Sequence, residues 1–356
     1  MDLVIYINIQ AFLICSFLNT LQKEPSEVYA MRGGRMEFFM KTSLNGKITT
    51  GHKNKWYKNI NNWQLYSLCA VPMLLFLVFN YLPMIGIIIA FKEYKYDLGI
   101  IGSNWVGFKN FEFFFKSDAF YRITRNTLTL NAIFIFVGLI ASVTVALLLF
   151  EIRKRTAVKA YQTMLIVPHY LSWVIVGYMA YAFLHPQYGF FNSALKQLGM
   201  AGIDWYNKPK YWPAILTVSS IWKGVGMSSV VYYASLMGID TEYFEAAAID
   251  GANKWQITWG ITLPFLRPLM TILTILAIGN IFRADFGLFY QLTRDVGSLF
   301  STTDVVDTYV YRTIKSGVAN MSMSSAVGVL QSIVGFVLII ITNIIVKKIE
   351  PDNALF

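Results

Sequence analysis

Cysteine and histidine are nearly absent from this chain, which has two cysteines (Cys15, Cys69) and three histidines (His52, His169, His185). The cysteines sit in apolar runs without metal-ligand spacing and the histidines lie far apart, so neither a disulfide framework nor metal catalysis has residues to rest on. Charge is scarce too. Asp, Glu, Lys and Arg make up 14% of the residues, whereas soluble domains average about 25%. A glycine-rich phosphate loop ending in Lys-Ser/Thr is missing, because Gly224 and Gly226 lie in an apolar run without that ending. The chain is therefore not expected to hydrolyse ATP, and it is not read as an enzyme.

What remains is apolar: 56% of the 356 residues are hydrophobic. A helix crosses a bilayer with about 20 mostly apolar residues. Six segments meet that length, near 66–90, 128–150, 160–184, 212–238, 265–282 and 323–346, and within them the only charged side chains are Lys223 and Arg267. Arg267 is close enough to its segment's start to snorkel to the interface. The sequence predicts an all-α membrane protein with six transmembrane helices over residues 60–356, preceded by an N-terminal segment, 1–59.

Basic residues set the orientation. Lys23, Arg32, Arg35, Lys41, Lys47, Lys53, Lys55 and Lys58 precede the first span, Arg153, Lys154, Arg155 and Lys159 follow the second, and Lys347-Lys348 follow the sixth. Even numbers of spans separate these groups, so all three fall on the cytoplasmic side, with both ends of the six-span core inside. The net charge of +10 is explained by this orientation; no basic stripe interleaved with aromatics suggests nucleic acid. Segment 239–264 is then cytoplasmic, and 92–127, 185–211 and 283–322 lie outside. Trp105, Phe108, Phe111 and Phe113 to Phe115 mark the first outer segment as interfacial. Residues 3–18 are apolar but lack a preceding basic residue, which fits a secretory signal badly. The shift to polar sequence near residue 20 points to a start at Met31, Met36 or Met40; an extra span with its N-terminus outside is the alternative.

Segment 240–264 carries the most specific pattern. Asp240 is placed as an N-cap, acids follow it, and Ala246, Ala247 and Ala248 favour helix with little bulk. Gly251 is positioned to end that helix at C′. A second short helix starts near Asn253, and Pro264 is read as the entry to the fifth span. The result is a rigid helix-turn-helix at the cytoplasmic surface, with Tyr243, Phe244 and Trp255 as apolar anchors and Glu245 and Asp250 as charges. Its bland alternative is an ordinary inter-helix loop.

Glu245-Ala246-Ala247, Gly251, Ile261 and Leu263-Pro264 together resemble, without departure, the EAA signature of binding-protein-dependent ABC import permeases. Leu263 to Pro268 is similar to the carbohydrate, maltose-type branch. Gly279 to Gly287, Thr308 to Arg312 and the closing Asn353 to Phe356 resemble the LplB-like polysaccharide subgroup, from which the apolar N-terminus departs. The resemblance covers roughly residues 60–356. It implies a type I importer fold in a bacterial plasma membrane. It also implies a second permease subunit, two cytoplasmic ATPase subunits that bind ATP and Mg, and an extracellular solute-binding protein that delivers a carbohydrate. This chain itself would bind no cofactor. Residues 242–251 become a coupling helix, with Glu245 meeting the ATPase and Gly251 shaping the turn.

Candidates for the substrate pathway are Lys223, Trp222, Asn280, Gln331 and Tyr178. Lys223 lies about twelve residues into the fourth span, roughly 18 Å along a helix, where a lysine costs about 2.5–3.5 kcal/mol on insertion scales. Pairing with carbonyls or a partner's acid is its bland reading, and sugar contact the sharper one. Polar residues in spans mostly hydrogen-bond between helices, and the His169 ring is expected to satisfy carbonyls freed by Pro168. A proton-coupled transporter would want acids inside spans, and none is there. A permease for a non-sugar solute is the closer alternative.

Overall fold

A computed structural model describes residues 63–315 and 321–349. The N-terminal segment 1–59, with its alternative starts, and the closing Asn353 to Phe356 lie outside the described residues. Among the described residues, those up to Gly86 form one unit and those from Ile87 another. In the first, helix α1 (Trp63–Phe76) runs into a π turn at Leu77–Tyr81, and the 3-10 stretch Leu82–Phe91 spans the boundary between the two.

The second unit opens with a small hairpin, β1 (Lys92–Glu93) against β2 (Asn104–Trp105), antiparallel with Lys92 opposite Trp105. Lys92 closes it by donating to the carbonyls of Ile100 and Ile101, each at 2.9 Å. Helix α2 (Lys109–Phe115) follows, then α3 (Phe120–Phe150), α4 (Arg155–Tyr170), α5 (Trp173–Leu184) and α6 (Phe190–Gln197). Next come α7 (Trp212–Leu236), α8 (Thr241–Ile249) and α9 (Lys254–Ile257). The chain ends with α10 (Leu263–Gly279), α11 (Phe286–Thr293), α12 (Val306–Lys315) and α13 (Met321–Ile349).

Five of the described helices or helix runs are long and apolar enough to cross a membrane: Cys69–Phe91, Phe120–Phe150, Pro209–Leu236, Lys254–Gly279 and Met321–Lys348. A sixth exists if α4 and α5, bent by 95° at their junction, count as one span. The six apolar segments therefore reappear, with two differences. Span two starts eight residues earlier than 128, because Arg122 and Arg125 are tolerated where the helix leaves the apolar region. Segment 160–184 is no single rod: Leu171 is extended, and Ser172 restarts the helix by accepting the Val174 N–H. Helical structure leads into the fifth span from Lys254, and Pro264 stands in the first turn of its α-helical part, the entry position expected for it. A π turn at Thr258–Thr262, in which the Leu263 N–H reaches the Thr258 carbonyl, shifts the ladder just ahead of the proline that cannot donate.

Three apolar clusters hold the second unit together. Val143 and Ala146 of α3, Tyr232 and Leu236 of α7 and Leu266 of α10 make one. Leu130, Val176, Trp212, Leu216 and Phe289 tie α3, α5, α7 and α11 in another. Phe114, Ile123, Phe282, Val306 and Val327 form the third. Small residues let the helices approach, as membrane bundles require. A Cβ on Gly226 of α7 would lie 1.8 Å from the Leu165 carbonyl oxygen of α4.

Candidate functional site

The eight predicted coupling residues fall on one compact element. Asp240 caps α8 by accepting the Glu242 N–H at 3.2 Å. At the other end Gly251 takes φ +75°, its N–H donates to the Ala248 carbonyl, and the Ala252 N–H reaches back to Ala247 at 2.9 Å. That pair of bonds is a Schellman closure, and its left-handed residue is what glycine supplies at least cost. Two residues later Asn253 accepts from the Gln256 N–H at 2.9 Å while the Gln256 side chain accepts from Asn253 N–H at 2.7 Å, a reciprocal cap on α9. Asp250 stands between α8 and Gly251. Ile261 belongs to the π turn, and Leu263 and Pro264 open α10.

The element is fastened to the spans by its rings and one ion pair. Phe244 packs on Phe150 of α3 with centroids 5.7 Å apart, and Tyr243 on Phe265 of α10 at 5.2 Å. Lys254 pairs with Glu151. Phe244 and Tyr243 thus anchor the element to the spans of this same chain. Glu245 and Ala246 are exposed, Ala247 half-buried. Beside them stand Ile249 (86% exposed), Trp255 (75%) and Trp259 (68%). Ile249 and Trp259 escaped the sequence reading; their signal was large apolar side chains in a segment assigned to water.

The pathway candidates are not gathered in one place, and among the described residues no hydrogen bond joins any two of them. Lys223 donates to the His169 carbonyl at 2.8 Å and its ammonium sits 5.0 Å from the Trp173 ring centre. His169 is in the last turn of α4, so this lysine caps the helix end that the 95° bend opens. The His169 carbonyl, and not its ring as expected, is the group in the bond. Gln331 is buried; its amide donates to the Phe282 carbonyl (2.9 Å) and to Asp307 (3.3 Å). Burial pushes the Asp307 carboxyl above its ordinary range, opposed by the hydrogen bonds from the Ala284 N–H and Gln331. Asn280 donates to Leu276 of its own helix at 3.0 Å. Trp222 and Tyr178 are exposed. A cleft of about 390 Å³ between α3, α7 and α10 is lined by Ser142, Ser220, Ser228 and Thr274 among others.

Replacing Lys223 by Met should lower the melting temperature of the purified protein, since it removes the hydrogen bond that closes the end of α4, a contribution of about 0.5–1.5 kcal/mol. Lys223→Arg should recover most of the loss. An unchanged melting temperature with abolished transport would instead make Lys223 a substrate contact.

Residues 48–353 match the family described as binding-protein-dependent transport system inner membrane component. The chain belongs to that family. The permease is 36% identical over 309 residues to Protein LplB of Bacillus subtilis (strain 168), covering 86% of this chain and 96% of the relative. It is 34% identical over 301 residues to the polygalacturonan/rhamnogalacturonan transport system permease protein YteP of the same organism, over 83% and 91% of the two chains. A chain in the crystal structure of the bacterial alginate ABC transporter, in complex with alginate pentasaccharide-bound periplasmic protein, superposes with a TM-score of 0.73 at 32% identity. That match covers 83% of the permease and 98% of the other chain. The permease is accordingly an inner-membrane subunit of an ABC importer.

Proposed function

We propose that this permease forms, with a second permease subunit, the pathway of an importer that carries an oligosaccharide or polysaccharide fragment into a bacterial cytoplasm. An extracellular binding protein delivers the saccharide, and two ATPase subunits holding ATP and Mg dock on α8 from the cytoplasm. The observation that carries the reading is the doubly capped α8–α9 element: short, rigid, tied to α3 and α10, and presenting Glu245, Ala246 and Ile249 outward. A rigid element fixed to two spans converts a push from outside into movement of both. Relatives named for polygalacturonan and alginate transport support a carbohydrate cargo.

The test is ATPase rate and uptake in the lipid-reconstituted complex, with the binding protein offered a panel of glycans and non-sugar solutes. A glycan-loaded binding protein should raise the rate; stimulation by another solute alone overturns the carbohydrate assignment. Gly251→Val and Glu245→Ala should each lower uptake about tenfold, which is the effect of roughly 1.4 kcal/mol, while the protein still inserts in the membrane. Normal uptake in both variants removes the coupling role from α8.

A further inference from the structure

Helices α5 and α11 are drawn together more tightly than ordinary side chains allow. A Cβ on Gly177 of α5 would meet the Gln291 carbonyl oxygen at 2.7 Å, and one on Gly287 of α11 would meet the Trp173 ring at 2.3 Å. Trp173 also donates its indole N–H to Asp285, the N-cap of α11, at 2.7 Å. Along this seam lies a pocket of about 200 Å³ lined by Val174, Gly177, Tyr178, Tyr290, Gln291 and Arg294.

The backbone is bent to hold Arg294 there. Arg294 and Asp295 follow α11 directly with φ of 55° and 54°, the only non-glycine residues with positive φ among those described. Successive left-handed residues with side chains persist when the surroundings over-determine them, and they concentrate at ligand sites. Arg312 secures Asp295 at 2.9 Å, and the Arg294 guanidinium lies over the Tyr181 ring at 4.0 Å. Among the described residues no carboxylate pairs with Arg294, which is exposed. On α11 itself, four residues before Arg294, Tyr290 stacks on Phe286 at 4.9 Å and meets Tyr311 edge-on at 5.1 Å, which fixes its ring.

We propose that this pocket receives the carboxylate-bearing unit of an acidic saccharide as it enters the pathway, an inference that rests on the carbohydrate reading above. The guanidinium of Arg294, stacked and so pre-oriented, offers a planar fork to the uronate carboxylate. Gln291 and the hydroxyls of Tyr178 and Tyr290 hydrogen-bond to ring hydroxyls. The close approach at Gly177 brings Tyr178 of α5 and Gln291 of α11 to the edge of the same pocket. A neutral sugar gains only ordinary hydrogen bonds from a guanidinium, whereas a carboxylate gains bidentate charge-assisted ones, and that difference makes the site selective. Because α11 belongs to the segment assigned to the outside, the saccharide meets this pocket early in its passage.

The experiment uses the complete importer in vesicles loaded with ATP, with its binding protein outside. Uptake is compared for galacturonate and mannuronate oligomers and for the same oligomers with their carboxyls reduced to alcohols. Wild type should take up uronate oligomers in preference, and Arg294→Gln should cut the uronate-to-reduced ratio about tenfold or more, the scale of one charge-assisted hydrogen bond. Arg294→Lys should restore part of it. If only neutral saccharides are transported, the uronate site is wrong and the carbohydrate reading stands. If no saccharide is transported, both fall. An unchanged ratio in Arg294→Gln, or an equal loss for both oligomers with a lowered melting temperature, assigns Arg294 to structure or to a partner subunit's acid and overturns the proposal.

Discussion

Gly226→Val should leave almost no folded permease, whereas Gly224→Ala, two residues away on the same helix, should fold as wild type. The contrast follows from what each added carbon meets. At Gly226 it would lie 1.8 Å from the Leu165 carbonyl oxygen and 2.3 Å from that carbonyl's carbon, both backbone atoms that no rotamer change can move aside. At Gly224 nothing lies within 4 Å. To admit even alanine at 226, α4 and α7 must separate by roughly an ångström, which loosens the packing that membrane helices depend on. Overpacking costs about 1–3 kcal/mol when side chains can yield, and here they cannot. The Lys223 bond to His169 sits on the same α4–α7 seam and would be pulled open with it. Fluorescence-detected size exclusion of solubilised membranes reads the result directly. Gly226→Ala should already reduce the monodisperse peak, and a peak equal to that of Gly224→Ala would contradict the close crossing.

The pair also shows what the sequence could and could not say. Hydropathy found six apolar stretches, because each span must be apolar along its own length whatever it packs against. It could not distinguish Gly224 from Gly226, since the difference lies in a residue more than fifty positions away. The bend at Leu171-Ser172 was missed for a similar reason: hydropathy does not register a change of direction. Its traces were present as Pro168, as Ser172 in a capping position and as a lysine in mid-span. Lys223 makes physical sense only once α4 is seen to end opposite it.

The cytoplasmic element was legible because its determinants are local. Asp240, Gly251, Asn253 and Gln256 each act within five residues of where they stand, so capping rules place them without tertiary knowledge. The pathway residues were not legible on those grounds. Gln331 is used by Phe282 and Asp307, and Asn280 by its own helix end; only neighbours decide whether a polar group in a span faces a partner or a cavity. Tyr178 alone of the five lines a pocket with a free cation, and Arg294 beside it was hidden in a segment read as loop.

Asp304→Ala should cost about 2–3 kcal/mol, less than the roughly 3–5 kcal/mol of a fully buried pair because the Arg122 side chain is 42% exposed. Asp304 comes from that same outer segment, and its side chain has no exposed surface. It accepts from Arg122 of α3 at 2.9 Å and from Arg312 of α12, which also holds Asp295 and lies over the Phe300 ring at 4.0 Å. Asn126 donates to the Asp304 backbone carbonyl at 3.1 Å, so the turn is pinned by main chain and side chain together. Without the carboxylate, Arg122 faces Arg312 with no counter-charge of its own, and its Nε is already buried without a hydrogen-bond partner. Arg312 would be left with Asp295 alone, and the strained Arg294–Asp295 turn would lose part of its support. Asp304→Asn keeps the shape and should lie between wild type and alanine. Combining Asp304→Leu with Arg122→Met, Arg312→Met and Asp295→Asn removes all four charges and should recover much of the melting temperature, because apolar or neutral replacement of a whole ion network is often neutral or better. Equal melting temperatures for Asp304→Ala and wild type would mean that solvent or a partner subunit already screens this cluster.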